Sequence, residues 1–349
     1  MEAKKKRYYL YISLLIIFLL LCIVIAESVG SASITVGDSF KILASKIPII
    51  NRFIDVSDVK NMYEVIIWKV RLPRILESAL VGGALAVVGC TFQAVFRNSL
   101  ADPHILGISS GASLGATIAM LSGITISFFG LGVTSIFAFI GAILAVLLVY
   151  KIGNLGGRVM TTSLLLTGTA ISTMLSSFIS LLMIYNREQL EKVYLWTLGS
   201  FSSANWNKVI FLALISLLCV AIIFLFSRDL NVILTGDEVA SSLGIDTQKL
   251  KNILIIISAV LVAASVSVSG TIGFVGLIIP HCMKLIIGSD HKFLIPFSYF
   301  GGATFMVICD TIARTIAQPT EIPVGVITAV FGAPYFIFLL YRNNKSGKC

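Results

Sequence analysis

The segment VRLPRIL, residues 70–76, carries Arg71 and Arg74 on either side of a proline, directly before a long and nearly uncharged run. Arginine is among the most costly side chains to place in a bilayer, so two arginines at the border of such a run require an explanation. Planar guanidinium groups suit bidentate pairing with carboxylates. The simplest other role is to anchor a helix end at the level of the lipid head groups. The residue types therefore predict either a carboxylate-binding pair or a membrane anchor.

Residues for metal binding or covalent catalysis are scarce in this chain. It has three histidines, and although His281 adjoins Cys282, two adjacent residues do not form a coordination site. The sequences H-E-x-x-H and G-x-x-x-x-G-K-[ST] are absent. We therefore expect no enzyme activity, no metal or cofactor in this chain, and no hydrolysis of ATP by it.

The composition is that of a membrane protein. Of the 349 residues, 57% are hydrophobic and 12% are charged, and the mean hydropathy is +0.98. A soluble domain would carry roughly a quarter of charged residues. Because lipid offers no partner for backbone polar groups, each apolar run must be helical. The sequence predicts an all-α polytopic membrane protein that forms a single transmembrane domain over residues 1–349.

The apolar runs predict about ten transmembrane helices. Two long uncharged stretches are divided at turns, one at LSGITISFFG and one at VSVSGTIGFVG. The predicted spans are 8–27 (the first span), 75–96, 105–122, 127–150, 161–184, 208–227, 250–269, 272–288, 293–313 and 322–341.

The positive charges predict the orientation. The net charge of +9 lies in the loops around the spans, so the positive-inside rule explains it without nucleic acid. An even number of spans places both termini on one side. Because the start (KKKR, residues 4–7) and the tail (Arg342, Lys345, Lys348) are both basic, we expect both termini in the cytoplasm.

The most structured polar stretch is residues 227–252, which this orientation places on the cytoplasmic face. Thr235 and Asp237 can cap a short helix that Gly244 would end, and LNVIL before it forms another short apolar turn. Two small helices held there would make a projection that fits a groove on a partner. An ordinary interfacial loop is the alternative.

Several segments, in the same order, resemble one family of membrane proteins. RLPRILESALVGGALAVVGCTFQAVFRNSLADPHILGISSGASLGA and GTIGFVGLIIPHCMKLIIGSDHKFLIPFSYFGGATFMVICDTIAR resemble the membrane subunits of ABC importers for ferric siderophores, haem and vitamin B12. Between them, YLWTLGSFSSANW resembles that family's short outer helix, and LNVILTGDEVASSLGI resembles its coupling loop. The resemblance covers nearly all of residues 65–341.

The resemblance implies a bacterial permease in the cytoplasmic membrane that works with several partners. It implies a dimer of two permease subunits, taken as a homodimer, around one central pathway. Two ATPase subunits would hold ATP and magnesium, and a substrate-binding protein would deliver the cargo from the extracytoplasmic side.

The resemblance also assigns roles to individual residues. Arg71, Arg74 and Arg314 match arginines that meet glutamates on the two lobes of the binding protein; alternatively, Asp310 neutralises Arg314 from one helical turn earlier. The cytoplasmic gate would contain Asn98, Leu100, Thr162 and Ser163, although these residues could equally be helix caps. The residues expected to contact the ATPase are Leu230, Gly236, Asp237, Glu238, Ala240, Ser241, Leu243 and Gly244.

The predicted function is import of an iron chelate by alternating access, driven by the partner ATPases. A ferric siderophore is the first choice of cargo, haem the second and cobalamin the third. An ion-coupled secondary transporter is the rival class. The first span between Tyr8 and Ala26 and the fourth and fifth predicted spans lack the buried ionisable relays that proton coupling uses. A permease for bare zinc or manganese is the other rival, and it should lack the RLPR and PHxx[KR] features.

Overall fold

The computed structural model describes residues 2–30, 34–46, 60–124, 126–128, 130–154 and 161–345. Within these ranges the chain is almost entirely helical. The helices are α1 (Glu2–Ser28), α2 (Val36–Ser45), α3 (Asn61–Val65), α4 (Leu72–Val95), α5 (Ile108–Ser122), α6 (Val133–Gly153), α7 (Thr161–Tyr185), α8 (Leu190–Thr197), α9 (Trp206–Leu225), α10 (Ser227–Ile233), α11 (Asp237–Ser242), α12 (Thr247–Ser269), α13 (Val275–Ile287), α14 (His291–Ala313) and α15 (Val324–Lys345).

Ten of these helices match the ten predicted spans in order. Among the described residues, seven helical segments have the length and hydropathy to cross a membrane: α1, the segment Asn61–Val95 that includes α4, α6, α7, α9, α12 and α14. Three shorter apolar helices, α5, α13 and α15, complete the set. The all-α membrane architecture is confirmed. A two-stranded hairpin, β1 (Ser127–Phe128) and β2 (Leu131–Gly132), lies at the turn predicted in LSGITISFFG.

The predicted span 272–288 is too long, because the chain is not helical before Val275. Gly270 and Phe274 both have left-handed backbones, with φ of 72° and 71°. A Cβ atom on Gly270 would lie 2.3 Å from the carbonyl oxygen of Trp196, so only glycine permits this close approach to α8. The short outer helix predicted after the fifth span is present as α8.

The spans alternate in direction and give the bundle two functional ends. At one end, Arg71 and Arg314 donate hydrogen bonds to the last carbonyls of α1, and we call this end the arginine face. At the other end, the start of α1 meets α13 and α14: Tyr8 donates to the carbonyl of Ile287 at 3.1 Å and stacks on Phe293. That end also carries α10 and α11, so we call it the loop face.

Helix α4 is the most enclosed of the described spans, and it packs against α9, α12, α13 and α14. Small residues make this packing possible. A Cβ atom on Gly82 would lie 2.2 Å from the carbonyl oxygen of Gly302, and one on Gly302 would lie 2.3 Å from that of Gly82. The backbones of α4 and α14 are therefore in direct contact, as in other membrane helix pairs with small residues at the crossing.

We expect Gly82→Ala to destabilise the protein by about 1–3 kcal/mol, because the added methyl group has to separate α4 from α14. The measurement is thermal unfolding of the detergent-solubilised protein. Gly132→Ala is the matched control, because a Cβ atom there has no neighbour within 4 Å and the backbone has an ordinary φ of −65°. Equal melting temperatures for the two variants would contradict the close packing.

Candidate functional site

A turn of π-helix places the first two arginines. Residues Ile66–Arg71 form this turn, and α4 continues directly from it. Pro73 has no N–H group, so it cannot donate to the carbonyl of Trp68 five residues earlier. The indole N–H of Trp206 donates to that carbonyl instead, at 2.9 Å. Because Pro73 leaves this carbonyl unused, it can accept the hydrogen bond from α9. This bond attaches the segment that carries Arg71 and Arg74 to α9.

Arg74 forms ion pairs with two carboxylates at once. Its Nε and Nη2 atoms donate to Asp310, with distances of 3.0 Å and 2.9 Å to Oδ1. Its Nη1 atom donates to both carboxylate oxygens of Glu321, at 3.0 Å and 2.9 Å. Asp310 lies in α14, and Glu321 lies in the connection between α14 and α15. The guanidinium of Arg74 therefore joins three elements on the arginine face.

Arg71 and Arg314 converge on the end of α1. Arg71 donates to the carbonyl of Glu27, and Arg314 donates to the carbonyl of Ala26. These carbonyls belong to the last turn of a helix, which carries partial negative charge and has no basic residue of its own. Arg314 also approaches Asp310, with 3.9 Å between Nε and Oδ2. The three predicted docking arginines are thus brought together.

The cluster contains acidic residues that the sequence reasoning missed. Glu27 and Glu77 are fully buried, and their carboxylate oxygens accept no hydrogen bond within the described residues. Glu27 interacts electrostatically with Arg71 and Arg314, and Glu77 with Lys208 and Arg74. The sequence carried a signal for them: with alternating helix directions, Glu27, Glu77 and Asp310 all lie near the same end of their spans.

The three arginines are buried although they lie at the end of the bundle. Arg71, Arg74 and Arg314 are only 5%, 9% and 7% exposed. The physical reason is that each guanidinium finds carbonyls or carboxylates of its own chain. Side chains buried in this way do not extend to the lipid head groups, so the geometry does not support the anchoring alternative.

A cavity of about 640 Å³ opens beside the cluster. Its wall includes Glu321 and Lys208 from the cluster, Lys192 and Trp196 from α8, and Ser203. Lys208 donates to the hydroxyl of Ser203 at 2.7 Å. Glu321 thus has open space beside it, and two lysines lie in the wall of the same cavity.

The loop face carries the two short helices that the sequence predicted. Helix α11 is capped by Gly236, without a side-chain cap, so Thr235 and Asp237 do not cap it as expected. Thr235 instead donates to the carbonyl of Val232, and Asp237 pairs with Lys251 at 2.7 Å. Gly244, with φ of 85°, follows the end of the helix as predicted.

The predicted ATPase contacts divide into two groups. Leu230 and Ala240 are fully buried, so they hold the loop against its own bundle and present no surface. Gly236 and Asp237 are partly buried. The exposed members of the predicted set are Glu238, Ser241, Leu243 and Gly244. Just after them, Asp246 caps α12, and the hydrogen bond from the backbone of Lys249 lowers the pKa of this carboxyl group.

The predicted gate residues lie at the loop face on two separate elements. Asn98 and Leu100 are exposed in the turn after α4, where the Asn98 side chain accepts from the backbone N–H of Leu100 at 2.9 Å. Thr162 is exposed and Ser163 half-buried in the first turn of α7. No hydrogen bond or ion pair joins the two pairs within the part of the chain that the structure describes. Asn98 acts here as a turn cap.

Helix α7 differs from the other exposed spans in its chemistry. Beyond its first turn, the exposed side of α9 is apolar and carries large residues such as Leu214, Leu217 and Leu218. On α7 a row of exposed hydroxyl groups runs along the helix, each bonded to a carbonyl in the preceding turn. Its members are Thr169, Thr173, Ser177 and Ser180. We call this row the α7 hydroxyl stripe.

The fold and its two polar ends are those of a polytopic permease. The chain belongs to the FecCD transport family, whose model matches residues 15–342. Similar curated proteins include the cobalamin import system permease of Halobacterium salinarum, 40% identical over 81% of this chain and 75% of that protein. The molybdate import system permease of Haemophilus influenzae is 35% identical over 95% of this chain and 96% of that protein. The hemin transport system permease of Yersinia pestis is 38% identical over 80% and 84%.

A solved structure supports the same assignment. A metal-chelate type ABC transporter in an inward-facing conformation is 33% identical, with a TM-score of 0.80, over 95% of this chain and 99% of that chain. The protein is therefore a multi-pass ABC importer permease, as the sequence predicted.

Proposed function

We propose that this permease imports an iron chelate, preferably a ferric siderophore, across the bacterial cytoplasmic membrane. The observation that carries the proposal is the convergence of Arg71, Arg74 and Arg314 on one face, opposite the two-helix projection on the loop face. In this proposal the arginine face is extracytoplasmic, and the loop face and both termini are cytoplasmic.

The arginine face receives the substrate-binding protein. Its three guanidinium groups lie together as one centre of donors, paired with acidic groups of their own chain. Acidic side chains of a soluble partner can bond to the same donors, and charge-assisted bonds to carboxylates are the stronger class of hydrogen bond. The carboxylates of the chain itself hold this centre in place before docking. The partner's glutamates then compete for the same donors.

The loop face receives the ATPase. Leu230 and Ala240 fix α10 and α11 to the bundle, while Glu238, Ser241 and Leu243 project from it. A rigid attachment on one side and a free surface on the other allow movement of the ATPase to be transmitted to the spans. The ATPase binds ATP and magnesium, and α10 and α11 of this chain transmit its movement to the transmembrane helices.

The pathway lies between two copies of this chain in a homodimer. The α7 hydroxyl stripe gives each copy a polar row along an otherwise apolar span, and polar residues within spans usually face a partner helix or an aqueous path. A chelate with polar groups can exchange hydrogen bonds along such a row. The gate at Asn98, Leu100, Thr162 and Ser163 lies at its cytoplasmic end.

The relatives are named for a range of cargoes, and the similar solved structure, described as a metal-chelate type transporter, agrees with a chelate as the cargo. Haem is the second choice and cobalamin the third, and relatives named for hemin, cobalamin and molybdate are 38%, 40% and 35% identical. Membership of the FecCD transport family argues against the rival class from the sequence, an ion-coupled secondary transporter, which would transport without an ATPase.

Neutralising each docking arginine should weaken binding of the substrate-binding protein. We expect Arg74→Gln, Arg71→Gln and Arg314→Gln each to raise the dissociation constant at least about tenfold, because a carboxylate of the partner loses its charged donor. Surface plasmon resonance on the permease–ATPase complex in nanodiscs measures this. Arg187→Gln, at an exposed arginine on the same face, is the control. Unchanged affinity in folded variants would refute the docking role.

Cysteine cross-linking should locate the ATPase on the loop face. We expect Ser241→Cys to trap the ATPase through a bifunctional thiol reagent, because Ser241 is exposed on α11. Ala240→Cys, the neighbouring buried position, should not react and serves as the control. Failure at Ser241, Glu238 and Leu243 alike would contradict the proposed contact.

Uptake into proteoliposomes should identify the cargo. We expect the permease, its ATPase and its binding protein to accumulate a ferric siderophore only when ATP is supplied. Haem, cobalamin and molybdate are tested in parallel. Accumulation of one of these in place of the siderophore would change the cargo, and accumulation without the ATPase would overturn the mechanism.

A further inference from the structure

The two carboxylates bound to Arg74 have very different surroundings. The side chain of Asp310 is 1% exposed and that of Glu321 is 45% exposed, while the side chain of Arg74 is 11% exposed. They also use different edges of the guanidinium: Asp310 accepts from Nε and Nη2, and Glu321 accepts from Nη1. One carboxylate can therefore leave without disturbing the other.

Asp310 is fixed in position. It lies within α14, and besides Arg74 it also approaches Arg314, one helical turn later. Removing one partner of a buried ion pair leaves an uncompensated charge, so this pairing is kept once it has formed. Asp310 thus orients two docking arginines together.

Glu321 is placed so that its side chain alone can move. The backbone after it is held by three hydrogen bonds: Ile322 N–H to the Ala313 carbonyl at 3.0 Å, Val324 N–H to Gly199 at 3.0 Å, and Gly325 N–H to Leu198 at 3.1 Å. Its carboxylate lines the 640 Å³ cavity whose wall also contains Lys192 and Lys208. A carboxylate released from Arg74 therefore has space and positive charge nearby.

We propose that Asp310 is the positioning residue of the docking site and that Glu321 is a built-in competitor which a carboxylate of the binding protein displaces from Arg74. This inference rests on the proposed docking function. In the free permease, Glu321 occupies the Nη1 edge. On docking, the incoming acidic side chain takes this edge, and the Glu321 side chain turns into the cavity beside Lys192 and Lys208. The exchange replaces one ion pair by another, so a buried guanidinium is never left unpaired.

The test is the rate of docking of the binding protein on the permease–ATPase complex. We expect Glu321→Ala to lower the dissociation constant about threefold to tenfold, because a competitor that occupies a site reduces apparent affinity by the fraction of free site. The gain should appear as faster association, with the dissociation rate unchanged. Slower association or an unchanged dissociation constant would overturn the proposal.

Two controls separate exchange from simple removal of negative charge. Glu191→Gln removes an exposed carboxylate on α8 of the same face, and we expect it to leave docking unchanged. In an Arg74→Gln background, Glu321→Ala should have no further effect. A gain that persists there would show that general repulsion, and not release of Arg74, is responsible, which contradicts the proposal.

Substitution of Asp310 should have the opposite effect on the affinity for the binding protein. We expect Asp310→Asn, in protein that stays folded by gel filtration and melting, to weaken docking at least about tenfold, because Arg74 and Arg314 lose their common carboxylate. Normal docking by this variant would overturn the positioning role.

If Arg74→Gln itself leaves docking unchanged, the proposed docking function fails. If Arg74→Gln weakens docking while Glu321→Ala does nothing, only the exchange fails.

Discussion

The pairing of Arg74 with Asp310 is the interaction on which the arginine face depends. Both groups lie at the end of an apolar bundle, where an isolated charge is expensive and a paired one is tolerated. Around this pair, Arg71, Arg314 and Lys208 supply three further positive charges, and Glu27, Glu77 and Glu321 supply three further carboxylates. At their ordinary charges the four basic and four acidic groups balance. Seven of these eight groups are buried, all except Glu321, and the fold tolerates them at one end because each sign is matched.

The glycine contacts of the core determine this pairing. Helices α4 and α14 run antiparallel, and Gly82 lies against Gly302. Eight residues back along α4 is Arg74, and eight residues forward along α14 is Asp310, so the same register places these two side chains opposite each other. At 1.5 Å per residue the glycine contact and the ion pair are about 12 Å apart. A side chain at the glycine contact would move the two helices apart and lengthen the distance between Arg74 and Asp310. The ion pair on the arginine face therefore depends on the close packing of glycines in the core.

Most of the fold could be predicted from the sequence, because its signals are local. Long apolar runs and glycine-rich turns predicted ten spans in the right order, and the polar stretch 227–252 predicted the two small helices of the loop face. The outer helix α8 was expected from the family resemblance. The errors lie where distant segments meet. The left-handed backbone at Phe274 shortens α13, and the capping of α11 by Gly236 follows from its surroundings. The burial of the arginines could not be read from residues 70–76, because it requires the acids at positions 27, 310 and 321, which belong to other elements.

The choice of arginine at position 74 follows from the number and direction of its donors. A lysine presents one compact ammonium group, and two carboxylates bound to it would crowd each other. A guanidinium has donors on separate edges in one plane, so Asp310 and Glu321 approach Arg74 from different sides without sharing an atom of it. One edge can then serve the structure while the other serves recognition. A buried cation that holds its own helices together and also binds a soluble partner needs two separate sets of donors. A lysine at this position could bind one of the two carboxylates but not both.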